Sequence, residues 1–206
     1  MASRLSHAWL NLSRALDAGL SRCEPQPPEI QPELASLRAA LSHAVVRADF
    51  EGKPQRNYSA ILADTIDPNR DDAFAGVCAA VAEVRDHLPW AYHYAPRGGE
   101  PALAERIGFA ELIGPDGPMM SPLVRVGLTL IASHTVYPMH AHPAVELYWV
   151  ISGHARWVTP RQDRIAPPGD FVLHRSNEPH AMSTAEEPLL ALWGWSGDID
   201  TPARYT

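Results

Sequence analysis

Hydrophobic positions change their period once along this chain, near residue 107. In the first half Leu5, Trp9, Leu12, Leu16 and Leu20 recur at three- and four-residue steps, the repeat of one helix face. A polar, proline-rich break follows over residues 24–32, Glu-Pro-Gln-Pro-Pro-Glu-Ile-Gln-Pro. Leu34, Leu37, Leu41 and Val45 predict a second helix. Phe74, Val77, Val81 and Val84 predict a third, starting near Asp71 and ending before Pro89. Residues 58–64 are too short for a clear helical repeat and alternate too weakly for a strand.

Past residue 107 the pattern shortens. Phe109 to Ile113 runs into Gly114-Pro115-Asp116-Gly117-Pro118, a turn signal. Val124, Val126, Leu128 and Leu130 alternate with Arg125, Gly127 and Thr129, which predicts a half-buried strand. Short runs follow at residues 146–152, 155–159, 170–174 and 189–195, punctuated by Gly153 and Pro167-Pro168-Gly169. Several short strands with Gly/Pro turns predict a small β-barrel or sandwich. The chain therefore divides into a mostly helical N-terminal extension, residues 1–104, packing on a β-barrel of residues 105–206.

Composition narrows the classes. In 206 residues, 46% hydrophobic and 20% charged side chains exclude a disordered chain and leave material for a core. Seventeen Lys and Arg against 24 Asp and Glu give a net charge of −7, with no basic run, so a nucleic-acid surface is not expected. Two cysteines, Cys23 and Cys78, cannot build a disulfide framework and read as free thiols in a reducing compartment. No stretch approaches the ~18 apolar residues of a membrane span. The N-terminal segment, interrupted by Asn11, Ser13, Arg14 and Asp17, does not read as a secretory signal. The expected setting is the cytoplasm, with no membrane or nucleic-acid partner, as a monomer or homodimer.

Histidine adds candidate chemistry. Six of the ten, His134, His140, His142, His154, His174 and His180, fall between residues 134 and 180, where an even spread would place about two or three. Even separations matter more than the number. His140, His142, Glu146 and Tyr148 are spaced so that an extended chain turns Glu146 and Tyr148 to one face, with His140 and His142 on the segment before. Two imidazoles and a carboxylate on one face suit a divalent metal, and His180, after a proline turn, can add a third imidazole. Glu146 sits inside an apolar run, Val145 to Ile151, where a carboxylate needs a partner. Metal ligation would supply one; a salt bridge to Arg125 or Arg156 is the plainer alternative. His134, His154 and His174 read as ordinary surface or core residues.

The spacing His140-Xaa-His142-Xaa3-Glu146-Xaa6-Gly153 resembles the first motif of the cupin superfamily, and Pro167-Xaa-Gly169-Asp170 followed by His180 resembles the second. The resemblance implies a double-stranded β-helix, the jelly-roll barrel, with the ligands gathered in its mouth. Tyr148 two residues after Glu146, the run from Pro179 to Thr184 and the run from Glu187 to Asp198 are further similar to the cupin-type dimethylsulfoniopropionate (DMSP) lyases, the DddQ/DddL-like group. That resemblance covers roughly residues 105–200. It implies a carbon–sulfur lyase that splits DMSP into dimethyl sulfide and acrylate. It implies one divalent metal, Zn, Fe(II) or Mn, on His142, Glu146 and His180. His140 could be a fourth ligand. Tyr148 becomes a ligand or near-ligand and the catalytic base; Tyr137, His140 and Trp195 become pocket residues.

The chemistry suits those residue types. DMSP carries a carboxylate and a sulfonium cation. A metal on the carboxylate favours loss of the neighbouring proton. A tyrosine beside a cation can be held as tyrosinate. The sulfonium suits an aromatic wall, for which Tyr137, Trp193 and Trp195 are candidates, plain core packing being the alternative. Another metal-dependent cupin, a dioxygenase or an isomerase, would share the histidines but would not specifically want Tyr148. A non-enzymatic sensor would usually carry a DNA-binding helix pair, of which the proline-broken helices show no pattern.

Overall fold

Strand β7 (Val145–Ser152) explains the architecture, because its alternate residues serve two different interiors. Leu147, Trp149 and Ile151 belong to one buried apolar cluster, shared with the helices. Tyr148 and Val150 belong to a second, inside the barrel. Strand β12 (Leu189–Ser196) divides in the same way, with Leu190 and Leu192 outward and Leu189, Ala191 and Trp193 inward. A strand with both faces covered reads as a continuous apolar run, which is what the sequence shows there.

The computed structural model describes residues 4–48, 50, 56–67, 72–94 and 103–206. Helices α1 (Arg4–Ser21), α2 (Gln31–Ser42), α3 (Arg56–Thr65) and α4 (Ala75–Val84) come first, with strands β1 (Val45–Val46) and β2 (Trp90–Ala91) among them. A short helix α5 (Leu103–Arg106) leads into β3 (Ile107–Ile113), β4 (Met119–Met120), β5 (Arg125–Ile131) and β6 (Val136–Ala141). After β7 come β8 (Ala155–Val158), β9 (Asp163–Ala166), β10 (Phe171–His174), β11 (His180–Ser183), then β12 and β13 (Arg204–Tyr205). One sheet has the order β1-β4-β3-β5-β12-β7-β10, with β2 also on β3; the other runs β13-β6-β11-β8-β9. The inward residues of both sheets share the second cluster, as in the jelly-roll barrel of a cupin.

The helices cover the outer face of the larger sheet. Ala8, Trp9, Leu12, Leu16 and Leu20 of α1 are buried, and α2 adds Leu34, Leu37 and Leu41. Pro32 and Glu33 suit the first turn of α2, where a missing N–H costs nothing and an acidic group meets the positive helix end. Three sequence expectations change. Residues 58–64 lie within α3, where Tyr58 is buried and its hydroxyl donates to the Ile107 carbonyl at 3.1 Å. The tertiary anchor settles what local pattern left open. Val45 is not helical: α2 ends at Ser42, and Val45 pairs with Met120. Strand β5 is buried on both faces rather than half-buried, because the helices cover the side that would otherwise meet water. The expected start of the third helix near Asp71 lies outside the described residues; α4 begins at Ala75, after Phe74.

Two motif glycines have a backbone reason. Gly153 turns the chain after β7 at φ +74°, and a Cβ there would stand 1.8 Å from the Pro188 carbonyl oxygen. Gly169 holds φ +96° ahead of β10. Both values lie in the region that favours glycine.

Candidate metal centre and pocket

The two sheets bring the histidines and the glutamate together from opposite sides. His140 in β6 is paired with His180 in β11 on the smaller sheet, and His142 follows β6 directly. Glu146 in β7 lies across from Trp195 in β12, and Tyr148 across from Trp193, on the larger sheet. The ligand-type atoms of His142, Glu146 and His180 all lie within 4.8 Å of one another, and all three residues are buried. Among the described residues no other three such side chains converge in this way.

Each imidazole is fixed by its main-chain partner. The Nδ1 of His140 lies 2.8 Å from the Pro138 carbonyl, that of His142 3.0 Å from the Ala144 carbonyl, and that of His180 2.8 Å from the Glu178 carbonyl. A carbonyl only accepts, so each Nδ1 carries the hydrogen and each neutral ring keeps a lone pair on Nε2. Those of His142 and His180 face Glu146 Oε2, at 3.0 and 3.4 Å. The buried His180 Nε2 makes no hydrogen bond. His142 Nε2 is hydrogen-bonded to Glu146 Oε2, and two imidazole nitrogens converging on one buried carboxylate are a donor set that a divalent cation fits once it takes the place of the shared proton.

The charges agree. Burial works against a charged His142, but Glu146 outweighs it and raises the imidazole pKa. Burial also opposes the Glu146 carboxylate, yet His142 and His180 hold its pKa well below the usual range. Burial and His180 push His140 well below an ordinary histidine, keeping it neutral. The Tyr148 phenol is raised well above its ordinary value by burial and by Glu146, so in the absence of a cation it keeps its proton.

Trp195 has a second partner besides the pocket. Its indole N–H donates to Glu146 Oε1 at 2.7 Å, and its ring lies 4.3 Å from that of His142. Arg125 and Arg156, the alternative partners for Glu146, are engaged with Glu111 at 3.2 Å and Asp163 at 2.6 Å instead. Trp195→Phe keeps a ring and removes the donor to the carboxylate. Metal affinity is expected to fall about 10–100-fold, as when other outer partners of metal ligands are lost. Competition titration with a chromophoric chelator measures it, and an unchanged affinity would return Trp195 to a pocket wall alone.

A cavity of about 320 Å³ opens from the His/Glu group. Tyr137, His140, Tyr148, Trp193 and Trp195 all line it, so both tryptophans face inward together. Tyr137 stacks flat on His140, ring centres 3.9 Å apart. His140 stands 4.0 Å from His180, edge to face, beside the three-residue group. His134 and His154 lie at the surface near Glu186 and Glu187. His174 is a core residue, stacked on His180 at 3.9 Å. The sequence reading missed Tyr94 and Phe109, which also line the cavity, and Glu111, Asp116, Arg125 and Asp200 in the same wall. The aromatic alternation Trp90, Tyr92, Tyr94 was the available signal for the first of these.

Fold and site together define a cupin with a buried His/Glu/His group. The family model for dimethylsulfoniopropionate lyases matches residues 33–191, and the chain belongs to that family. It is 37% identical to the DMSP lyase DddQ of Ruegeria pomeroyi over 96 residues, 46% of this chain and 48% of that protein. It is 30% identical to DddL of Cereibacter sphaeroides, described as a candidate DMSP lyase, over 142 residues, 68% of this chain and 59% of the relative. The matches thus span about half to three-fifths of these curated relatives. The crystal structure of DddQ from Ruegeria pomeroyi superposes with a TM-score of 0.80 at 28% identity, covering 97% of this chain and 96% of that one. No described helix is long and apolar enough to cross a membrane.

Proposed function

We propose that this chain is a metal-dependent carbon–sulfur lyase that cleaves DMSP to dimethyl sulfide and acrylate by β-elimination. The observation that carries the reading is the convergence of the buried His142 and His180 Nε2 atoms on Glu146, beside an aromatic-walled cavity in a chain of this family. His142, Glu146 and His180 hold the metal, with His140 or Tyr148 completing the site. When bound, a divalent cation such as Zn(II), Fe(II) or Mn(II) polarises the substrate carboxylate and acidifies the adjacent C–H.

The protein's own groups do the rest. Tyr148 shares a strand face with Glu146 and lines the cavity. Its oxygen takes the proton from the carbon next to the carboxylate. That electron pair becomes the new carbon–carbon π bond. The carbon–sulfur bond breaks with its electrons on sulfur, and neutral dimethyl sulfide leaves. Beside a bound cation the phenolate is the favoured form of Tyr148, which offsets the effect of burial. Tyr137, Trp193 and Trp195 offer ring faces to the sulfonium. Residues 1–104 form the extension that supports the barrel of residues 105–206. Two cysteines with no disulfide between them among the described residues support a reducing compartment such as the cytoplasm.

Purified metal-loaded protein incubated with DMSP should release dimethyl sulfide into the headspace and an equal amount of acrylate into solution. Gas chromatography and proton NMR read the two products. Absence of both would remove the lyase reading.

A further inference from the structure

The cavity has one aromatic wall that the barrel does not supply. Phe109, Tyr137, Tyr148 and Trp193 sit in strands β3, β6, β7 and β12, each no more than 9% exposed. Tyr94 comes from the N-terminal extension, three residues past the end of β2, in a segment outside any strand. It is half-buried and lines the same cavity. Its position is nonetheless fixed. The Tyr94 and Tyr137 hydroxyls are hydrogen-bonded at 2.5 Å. The Tyr205 ring lies 4.5 Å from that of Tyr94, and the Phe109 ring 6.3 Å. His140 meets it edge to face at 6.0 Å.

Charge is not uniform around this space. The His/Glu group is buried at one end. Asp116 and Asp200, 83% and 90% exposed, belong to the solvent side of the lining, where Arg125 meets Glu111, Asp116 and Asp200. Three carboxylates against one guanidinium leave that side net negative.

We propose that Tyr94 is a specificity-determining residue, the wall that limits the size of the alkyl groups a sulfonium substrate can carry. The inference rests on the lyase reading and deepens it, because it makes the extension part of the active site. Its physical basis is that the strand-borne rings are locked by their ladders, whereas Tyr94 projects from outside the barrel. Shortening it enlarges the cavity without removing a barrel strand residue.

The test compares DMSP with its diethyl homologue, 3-(diethylsulfonio)propanoate. Both yield acrylate, so one assay gives kcat/KM for each. Quenching of tryptophan fluorescence, with Trp193 and Trp195 in the cavity wall, gives Kd for each independently of turnover. The parent should favour the dimethyl compound. In Tyr94→Ala the preference should narrow about tenfold or more in both ratios, the scale on which a pocket discriminates added methylenes. Tyr94→Phe, which keeps the ring and loses the hydroxyl, should retain it. If Tyr94→Ala does not fold, Tyr94→Leu is read in its place. An unchanged preference in the shortened variant would overturn the inference. Failure of the metal-loaded parent to release acrylate would instead overturn the lyase reading; the Kd ratio then decides the role of Tyr94 alone, narrowing supporting it and constancy refuting it.

Discussion

Glu146→Ala and His180→Ala should each purify without a bound divalent metal and without lyase activity. Elemental analysis of the parent should find about one metal per chain. Among the described residues, no other three side chains of ligand type converge as His142, Glu146 and His180 do. Removing Glu146 also deprives the Trp195 N–H of its acceptor and removes the charge that raises the His142 pKa. A readout separate from catalysis is the melting temperature. A ligand that binds only the folded state stabilises it by about 2.7 kcal/mol at a hundred times its Kd. Added Zn(II) or Mn(II) should therefore raise the melting temperature of the stripped parent and leave both variants unmoved. Full metal content in the two variants would refute the ligand assignment. Acid should release the metal from the parent, since protonating a ligating imidazole nitrogen competes with the cation.

Tyr148→Phe should lose turnover by about a factor of 10² or more while retaining metal. The substitution preserves a ring packed 4.8 Å from Trp157 and removes only the hydroxyl. Loss of a positioned base costs on the order of 10²–10⁴ in rate. Metal content should fall less than in Glu146→Ala, because Tyr148 is at most an auxiliary ligand. Pre-steady-state mixing with DMSP would separate a slow chemical step from weak binding. Near-normal turnover with metal bound would move the base elsewhere. His140 is then the next candidate, a neutral imidazole in the cavity with Nδ1 fixed on Pro138 and Nε2 left as acceptor.

His142 and Glu146 were legible in the sequence because they are close along the chain and followed by glycines the backbone requires, and His180 because it follows the second motif. His142 and Glu146 flank one corner, and Gly153 and Gly169 mark turns that other residues would strain. Glu146 announced itself as a carboxylate in an apolar strand. The partner that completes its environment, Trp195, lies 49 residues away, and only strand pairing brings its N–H there. The same limit hid Tyr94. It reaches the cavity through the pairing of β2 with β3, which no local period reports. Residues 58–64 were ambiguous because what holds α3 is Tyr58 at the Ile107 carbonyl, a contact 49 positions apart. Strand β5 was misread as half-buried because alternation describes one face, and helices distant in sequence cover the other.

The carbonyls of Pro138, Ala144 and Glu178 have a consequence for how this centre can change over evolutionary time. They set which nitrogen of each histidine keeps its lone pair, and they belong to the main chain. Substituting the side chains at those three positions leaves the acceptors in place as long as the local path of the chain is kept. The orientation of the imidazoles around Glu146 is thus inherited with the fold and shielded from point mutation of its own supports. The aromatic and acidic walls, made of side chains, carry no such protection. Drift in the walls away from Trp195 can therefore accumulate while the hydrogen bonds that fix the three imidazoles are kept.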